Sequence, residues 1–249
     1  MELNTYPLVC TRGVVLYPNQ EIVIDVGRDT SVHAVENAQD NYDKKICLFS
    51  QKELEQENPG TEDIYSVGTL CEVRHIRRFD NFLRVKFRGI KRVKLNKWTH
   101  GSLSDLVEVE ILESEKQDTV EEEALIRMIA DELDRMQGQD RFVTKEIVME
   151  ISKGMGGEFL SDKAVQGLPL DLERKQKYLE TLGVNDRLMM LLQDMAKEKK
   201  MSEVEKQINE TVKERIDQGQ KDYYLREKMN VIREELGDTV AQDEDAAKI

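Results

Sequence analysis

Ten basic residues and a single acid, Asp80, lie between Arg74 and Lys97. Arg84, Lys86 and Arg88 alternate with Leu83, Val85 and Phe87, and Arg92 and Lys94 flank Val93 and Leu95 in the same way. Successive side chains of a strand point to opposite faces, so this spacing predicts a cationic sheet face. Such a face could follow a phosphate backbone. The plainer reading is a solvated surface that offsets acidic loops, with Phe79, Phe82 and Phe87 in the core. A second candidate surface is apolar. Tyr6-Pro7-Leu8 and Val14-Val15-Leu16-Tyr17-Pro18 crowd bulky residues around two prolines. Exposed, Pro7, Leu16, Tyr17 and Pro18 would bind unfolded or extended peptide; buried, they are the rim of a barrel.

Other chemistry is sparse. No Gly-Lys dipeptide occurs, so no P-loop cradles nucleotide phosphates. Gly154-Met155-Gly156-Gly157 follows a helical pattern instead of a strand and reads as a flexible connection. His33, His75 and His100 are far from one another and from cysteine pairs, which argues against a metal site. No Gly-x-Ser-x-Gly elbow is present. The expectation is that this segment is not an enzyme and carries no catalytic, cofactor-binding or metal-binding residues.

The elements that position the candidate surfaces follow from periodicity. Residues up to about 115 are rich in strands. Glu21–Val26 alternates, with Ile22, Ile24 and Val26 on one face. A helix over Asp29–Asp40 turns Val32, Val35 and Ala38 inward, with Asp29 or Thr30 as its cap. Lys45–Ser50 is a short strand, and Asn58-Pro59-Gly60 turns an acidic loop. Tyr65–Phe79, Phe82–Arg88, Ile90–Trp98 and Leu106–Leu112 are four further strands. A tight turn at Asp80-Asn81 joins the first two, and a bulge at Gly89 separates the next pair. From Thr119 the period becomes helical. Glu121–Met136 places Leu125, Met128 or Ile129, and Leu133 on one face, and Thr144–Ile151, Phe159–Gln166 and Leu172–Leu182 follow. Leu168-Pro169-Leu170-Asp171 breaks the chain and caps the last of these.

From Asn185 to Leu236 one long helix is predicted, with no proline and Gly219 as its only glycine. At 1.5 Å per residue it would extend roughly 75 Å. Leu188, Leu191, Leu192 and Met195 form a stripe at its root. Val204, Ile208, Val212 and Ile216 continue at every fourth position, and Leu225, Met229, Ile232 and Leu236 end it. Ile216 and Leu225 are nine residues apart, which at about 100° per residue places these last two stripes on opposite sides. Either Gly219 kinks or ends the helix, or a continuous arm serves two different partners. Tyr223, Tyr224, Leu225, Met229 and Ile232 are the candidate assembly residues.

The 249 residues include 35% charged, 39% hydrophobic and 6% aromatic side chains, which suits long exposed helices better than one large core. A formal net charge of -13 disfavours global attraction to nucleic acid or anionic lipid. No apolar run approaches the ~20 residues of a membrane span, and no basic region followed by an apolar segment opens the chain, so the expectation is a cytoplasmic protein with no membrane partner. Cys10, Cys47 and Cys71 are then free thiols.

These residues resemble a known family. Pro7-Leu8, Arg12-Gly13-Val14-Val15-Leu16-Tyr17-Pro18, Val26-Gly27-Arg28, Lys44-Lys45-Ile46, Gln51-Lys52, Val67-Gly68-Thr69 and Gly89-Ile90-Lys91-Arg92 look like the amino-terminal domain of Lon, the ATP-dependent serine protease (endopeptidase La). Leu168-Pro169-Leu170, Lys175-Gln176, Val184-Asn185-Asp186-Arg187-Leu188 and Tyr223-Tyr224-Leu225-Arg226-Glu227-Lys228-Met229 through Glu235-Leu236-Gly237 continue the likeness in order. Arg12-Gly13 stands where the family often has Arg-Asp, and Arg226 where Asn is common. The resemblance implies an α+β chain: a PUA-like β-rich barrel or sandwich over 1–117, a small helical bundle over 118–183, a long helical arm over 184–237 and a flexible acidic tail over 238–249. It further implies a missing AAA+ ATPase domain, where ATP and Mg would bind, and a protease domain with a Ser-Lys dyad. The implied role is non-catalytic: recognition of unfolded, damaged and short-lived regulatory proteins, and assembly of a hexamer. The alternatives are a nucleic-acid-binding PUA-like module and a stand-alone adaptor.

Overall fold

A computed structural model describes residues 3–101, 103–115, 117–136, 149–151 and 153–235. Six strands come first: β1 (Leu3–Thr11), β2 (Glu21–Val26), β3 (Lys45–Ser50), β4 (Val67–Arg78), β5 (Leu83–Thr99) and β6 (Leu106–Leu112). Helix α1 (Asp29–Asn41) lies between β2 and β3, and α2 (Thr119–Met136), α3 (Gly157–Gly167), α4 (Leu172–Glu180) and α5 (Val184–Glu235) follow the last strand.

The strand order is β2-β5-β4-β3-β1-β6, and an additional β5–β6 pairing closes the last five of these into a barrel. β1 pairs parallel with β3, from Leu8 opposite Cys47 to Thr11 opposite Ser50, and antiparallel with β6, making the sheet mixed. The chain's first strand is thus an interior member of the barrel, a role that the prolines of the amino-terminal stretch obscured. β5 is long enough for two neighbours on one side. Its first half pairs with β2 and its second half with β6, while β4 runs along its other side.

One irregularity organises this division. The β4–β5 register slips between Leu70 and Cys71, where Lys91 and then Gly89 are the partners and Ile90 is skipped. A bulge inverts which face receives each side chain. Accordingly Leu83, Val85 and Phe87 pack with Val35 and Ala38 of α1 outside the barrel. Past the slip, Val93 and Leu95 pack with Phe49, Val107 and Val109 inside it. The two segments read separately from the sequence, Phe82–Arg88 and Ile90–Trp98, are one strand carrying this step. Gly89 has a further reason to be glycine: a Cβ there would stand 2.1 Å from the Tyr17 carbonyl oxygen.

The helices form where the period predicts, with corrections at the ends. α1 begins after Arg28, which is its N-cap, and no side chain caps it, so neither Asp29 nor Thr30 does so. In α2 the buried residues are Leu125, Ile129 and Leu133, while Met128 is exposed. Asp171 caps α4 by accepting from the Arg174 amide at 2.7 Å. Phe79 and Phe82 are half-buried at the β4–β5 turn instead of in the core, stacked 4.7 Å apart with Arg84 over both rings. The helix predicted over Thr144–Ile151 falls largely outside the described residues, as do Leu236 and the predicted tail 238–249.

Two compact units divide the chain, 1–196 and 197–249. The predicted boundaries at 117 and 183 fall inside the first unit, because barrel and bundle share a core. Val15, Tyr17 and Val67 pack in one apolar cluster with Ile129, Leu160, Tyr178 and Leu188. Within the second unit α5 stays helical through Gly219, so no break occurs there.

Candidate functional site

The amino-terminal apolar stretch is placed by what it covers. Pro7, Leu16, Tyr17 and Pro18 are all buried. Leu16 packs with Val9 and Phe87 over the outer face of the sheet, and Tyr17 is enclosed completely in the cluster shared with the helices. The Tyr17 hydroxyl donates to the Lys175 carbonyl at 2.8 Å, and burial pushes its pKa well up. The expected exposed patch is therefore absent: Tyr17 joins barrel to bundle, and Leu16 belongs to the outer-sheet cluster with α1. Pro18 runs beside Gly89 as an isolated bridge, with the Asn19 amide donating to the Gly89 carbonyl at 2.9 Å.

The basic strand face also resolves into pairs. Arg84 forks onto Asp25 with both contacts at 2.7 Å, Lys86 meets Glu21 at 2.6 Å, and Lys91 meets Glu113 at 2.8 Å. Lys86 and Arg84 hold the Glu21 and Asp25 carboxyls below their usual range, mainly through those hydrogen bonds. This is the plainer of the two readings, a surface whose charges are offset by neighbours.

Arg92 departs from that pattern. It is 1% exposed, with its guanidinium donating bidentately to Asp162 of α3 at 3.0 and 2.5 Å and to the Leu179 carbonyl at 3.1 Å. Arg187 of α5, also fully buried, reaches the same carboxylate at 3.9 Å and donates to Ser161 Oγ at 3.2 Å and the Thr181 carbonyl at 2.8 Å. Burial, then Arg92, brings the Arg187 pKa down to about 10, so it remains a cation at neutral pH. Burial pushes the Asp162 carboxyl up while the two guanidiniums oppose it. Planar guanidinium and carboxylate match through two parallel bonds, which fixes orientation as well as distance. Sequence alternation could not separate Arg92 from its solvated neighbours. The available signal was Asp162, an acid among Leu160, Ala164 and Val165 on a short helix.

The assembly candidates are placed differently. Tyr223, Tyr224, Leu225, Met229 and Ile232 are all exposed, at 45 to 68% of their full surface, and Val204, Ile208, Val212 and Ile216 are exposed as well. Every described residue from 203 to 235 is exposed. Among the described residues no group of His, Cys, Asp and Glu has the arrangement to hold a metal ion. No helix among them is long and apolar enough to cross a membrane.

The family model for the ATP-dependent protease La (LON) substrate-binding domain matches residues 5–197. The Lon protease of Brevibacillus choshinensis is 34% identical over 233 residues, which is 93% of this chain and 30% of that protein. Lon protease 1 of Bacillus subtilis is 33% identical over 236 residues, 94% of this chain and 30% of its own length. The chain thus spans under a third of these relatives. In solved structures, the N-terminal domain of Mycobacterium avium complex Lon protease has a TM-score of 0.63 at 19% identity, covering 78% of this chain and 98% of that one. The Lon N-terminal domain protein of Xanthomonas campestris has a TM-score of 0.55 at 17% identity, covering 76% and 97%. At these identities the likeness concerns the fold.

Proposed function

Since this chain belongs to the family of Lon substrate-binding domains, we propose that it receives unfolded or damaged protein substrates for an ATP-dependent Lon protease and contributes to its assembly, without catalysis of its own. ATP and Mg would then be handled by an ATPase domain elsewhere in such a protein. One observation carries the assignment of the contact surface: the exposed apolar residues from Val204 to Ile232 of α5. Large apolar side chains left exposed in stripes along a helix mark surfaces that partners cover. Ile216 and Leu225 fall on opposite sides of a helix unbroken at Gly219, so the two stripes take two different partners, a neighbouring subunit and an entering polypeptide. The stretch around Leu16 and Tyr17 is excluded from this role by its burial.

The test replaces Leu225, Met229 and Ile232 by serine together. These positions are exposed, so the helix persists, as circular dichroism would verify. Affinity for a permanently unfolded protein should fall about tenfold or more, since each buried apolar side chain contributes on the order of 1.5–3 kcal/mol. Sedimentation should show less self-association. Unchanged affinity together with an unchanged sedimentation profile would remove this surface from the assignment.

A further inference from the structure

Arg12 and Arg28 border one cavity of about 360 Å³, together with Thr11, Gly27 and Ser31. Arg28 immediately precedes α1 and its carbonyl accepts from the Val32 amide at 2.9 Å. The amides of Asp29, Thr30 and Ser31 therefore belong to the first turn, whose N–H groups have no partner within a helix and whose dipole end is positive. Both guanidiniums donate to the Gln56 carbonyl, Arg12 at 3.1 Å and Arg28 at 3.2 Å, and Arg28 also donates to Gln51 Oε1 at 2.7 Å. With five N–H donors each, both retain unused ones. The acids nearby do not occupy them. Asp25 borders the cavity, but both of its oxygens accept from Arg84, and Glu57 acts on Arg28 only through its field.

Ser31 is the independent observation. It is only 7% exposed, it borders both this cavity and a second one of about 280 Å³ shared with Cys10, Arg28 and Trp98, and among the described residues its hydroxyl has no hydrogen-bond partner. The hydroxyl borders the cavity with its donor and acceptor unused within the described protein, so it is available to a ligand there. We propose that this corner binds a phosphoryl group, with the two guanidiniums clamping its oxygens and the first-turn amides and the Ser31 hydroxyl supplying further donors. A phosphoryl group offers three acceptor oxygens to donors arriving from separate directions, where a carboxylate offers two. The group could come from a free phosphate or from a phosphorylated side chain of a polypeptide. The site does not depend on the role assigned to α5.

Trp98, the chain's single tryptophan, borders the second cavity and reports on occupancy. The 249-residue chain is titrated with inorganic phosphate, with a phosphoserine peptide and with its unphosphorylated twin, each against chloride of matched ionic strength. Trp98 emission and the amide NMR shifts of Asp29, Thr30 and Ser31 are followed. A saturable change is expected with a phosphorylated ligand and not with the unphosphorylated peptide. It should weaken about tenfold or more in Arg12→Gln and Arg28→Gln and severalfold in Ser31→Ala. Saturation by both ligands identifies the free group as sufficient, and saturation by the phosphopeptide alone identifies a modified polypeptide as the source. No saturation with either, or undiminished affinity in Arg12→Gln, overturns the proposal. Both arginines hold the loop at Gln56, so Ser31→Ala, which leaves those two contacts intact, keeps the test valid where an arginine variant disturbs the loop: undiminished affinity in Ser31→Ala also counts against the site.

Discussion

Replacing Asp162 by asparagine tests the joint between barrel and bundle most directly. The carboxylate is 2% exposed, takes both bonds of the Arg92 fork and lies 3.9 Å from Arg187. Asparagine keeps one oxygen but presents an amide N–H₂ to two guanidiniums that cannot reach water. Breaking one side of a buried ion pair costs about 3–5 kcal/mol, because the remaining charge stays buried and unpaired. A domain's total stability is about 5–15 kcal/mol, so the variant should stand close to unfolding. With a urea dependence of about 2 kcal/mol per molar, the unfolding midpoint should drop by roughly 2 M. Trp98 emission reports β5, the strand that carries Arg92, while far-ultraviolet circular dichroism reports the helices, and both should shift together. The double variant Arg92→Met, Asp162→Leu should recover only part of the loss, since β5 then carries no stranded charge while the buried Arg187 cation still loses the carboxylate beside it. A loss below about 1 kcal/mol in Asp162→Asn would refute the reasoning, because that is the scale of an exposed pair.

Other outcomes follow from single positions. Gly89→Ala drives a Cβ to 2.1 Å from the Tyr17 carbonyl and should destabilise by about 1–3 kcal/mol in urea unfolding. Gly219→Ala meets nothing within 4 Å and should instead raise helicity, adding roughly 0.5–1 kcal/mol locally. Leu16→Ser should lower stability by about 2–5 kcal/mol, so any change in client binding would accompany unfolding in a thermal melt. Burial pushes the Cys10 thiol up to about 12 and Cys47 and Cys71 up as well, and only the thiolate is nucleophilic. The native chain near neutral pH should therefore take up no iodoacetamide during the time in which the urea-unfolded chain takes up three, with Cys10 gaining reactivity as the pH rises toward about 12.

Local chemistry was legible in the sequence where a single periodicity governed. The alternation of Glu21–Val26, the helical spacing of Leu125 and Leu133, and the Asp171 cap reappear in the structure. What escaped was set by contacts distant in the chain. Nothing in Tyr6-Pro7-Leu8 announces that its strand pairs in parallel with β3 and antiparallel with β6, since partners 39 and about a hundred residues away decide it. Leu16 and Tyr17 were ambiguous for the same reason: an apolar run looks alike whether solvent or a helix lies over it. Arg92 carried no local mark at all, because its burial depends on an acid 70 residues later. The exposed residues of α5 were only half legible: their opposed stripes ruled out a single packing partner, but a helix broken at Gly219 with each half packed locally stayed equally open.

Synthesis from the N-terminus gives the order of the barrel strands a temporal meaning. β1 is made first, yet its antiparallel neighbour is β6, the last strand to be made, so the ring of hydrogen bonds cannot close until roughly a hundred further residues have left the ribosome, about 5–20 s at ordinary translation rates. Tyr17 waits longer still, for the backbone of Lys175. During that interval Leu8, Val9, Leu16 and Tyr17 are unprotected apolar residues on a nascent chain. A domain of the Lon substrate-binding family thus emerges with its own apolar residues uncovered, and its first strand is a segment that a chaperone acting during translation would shield.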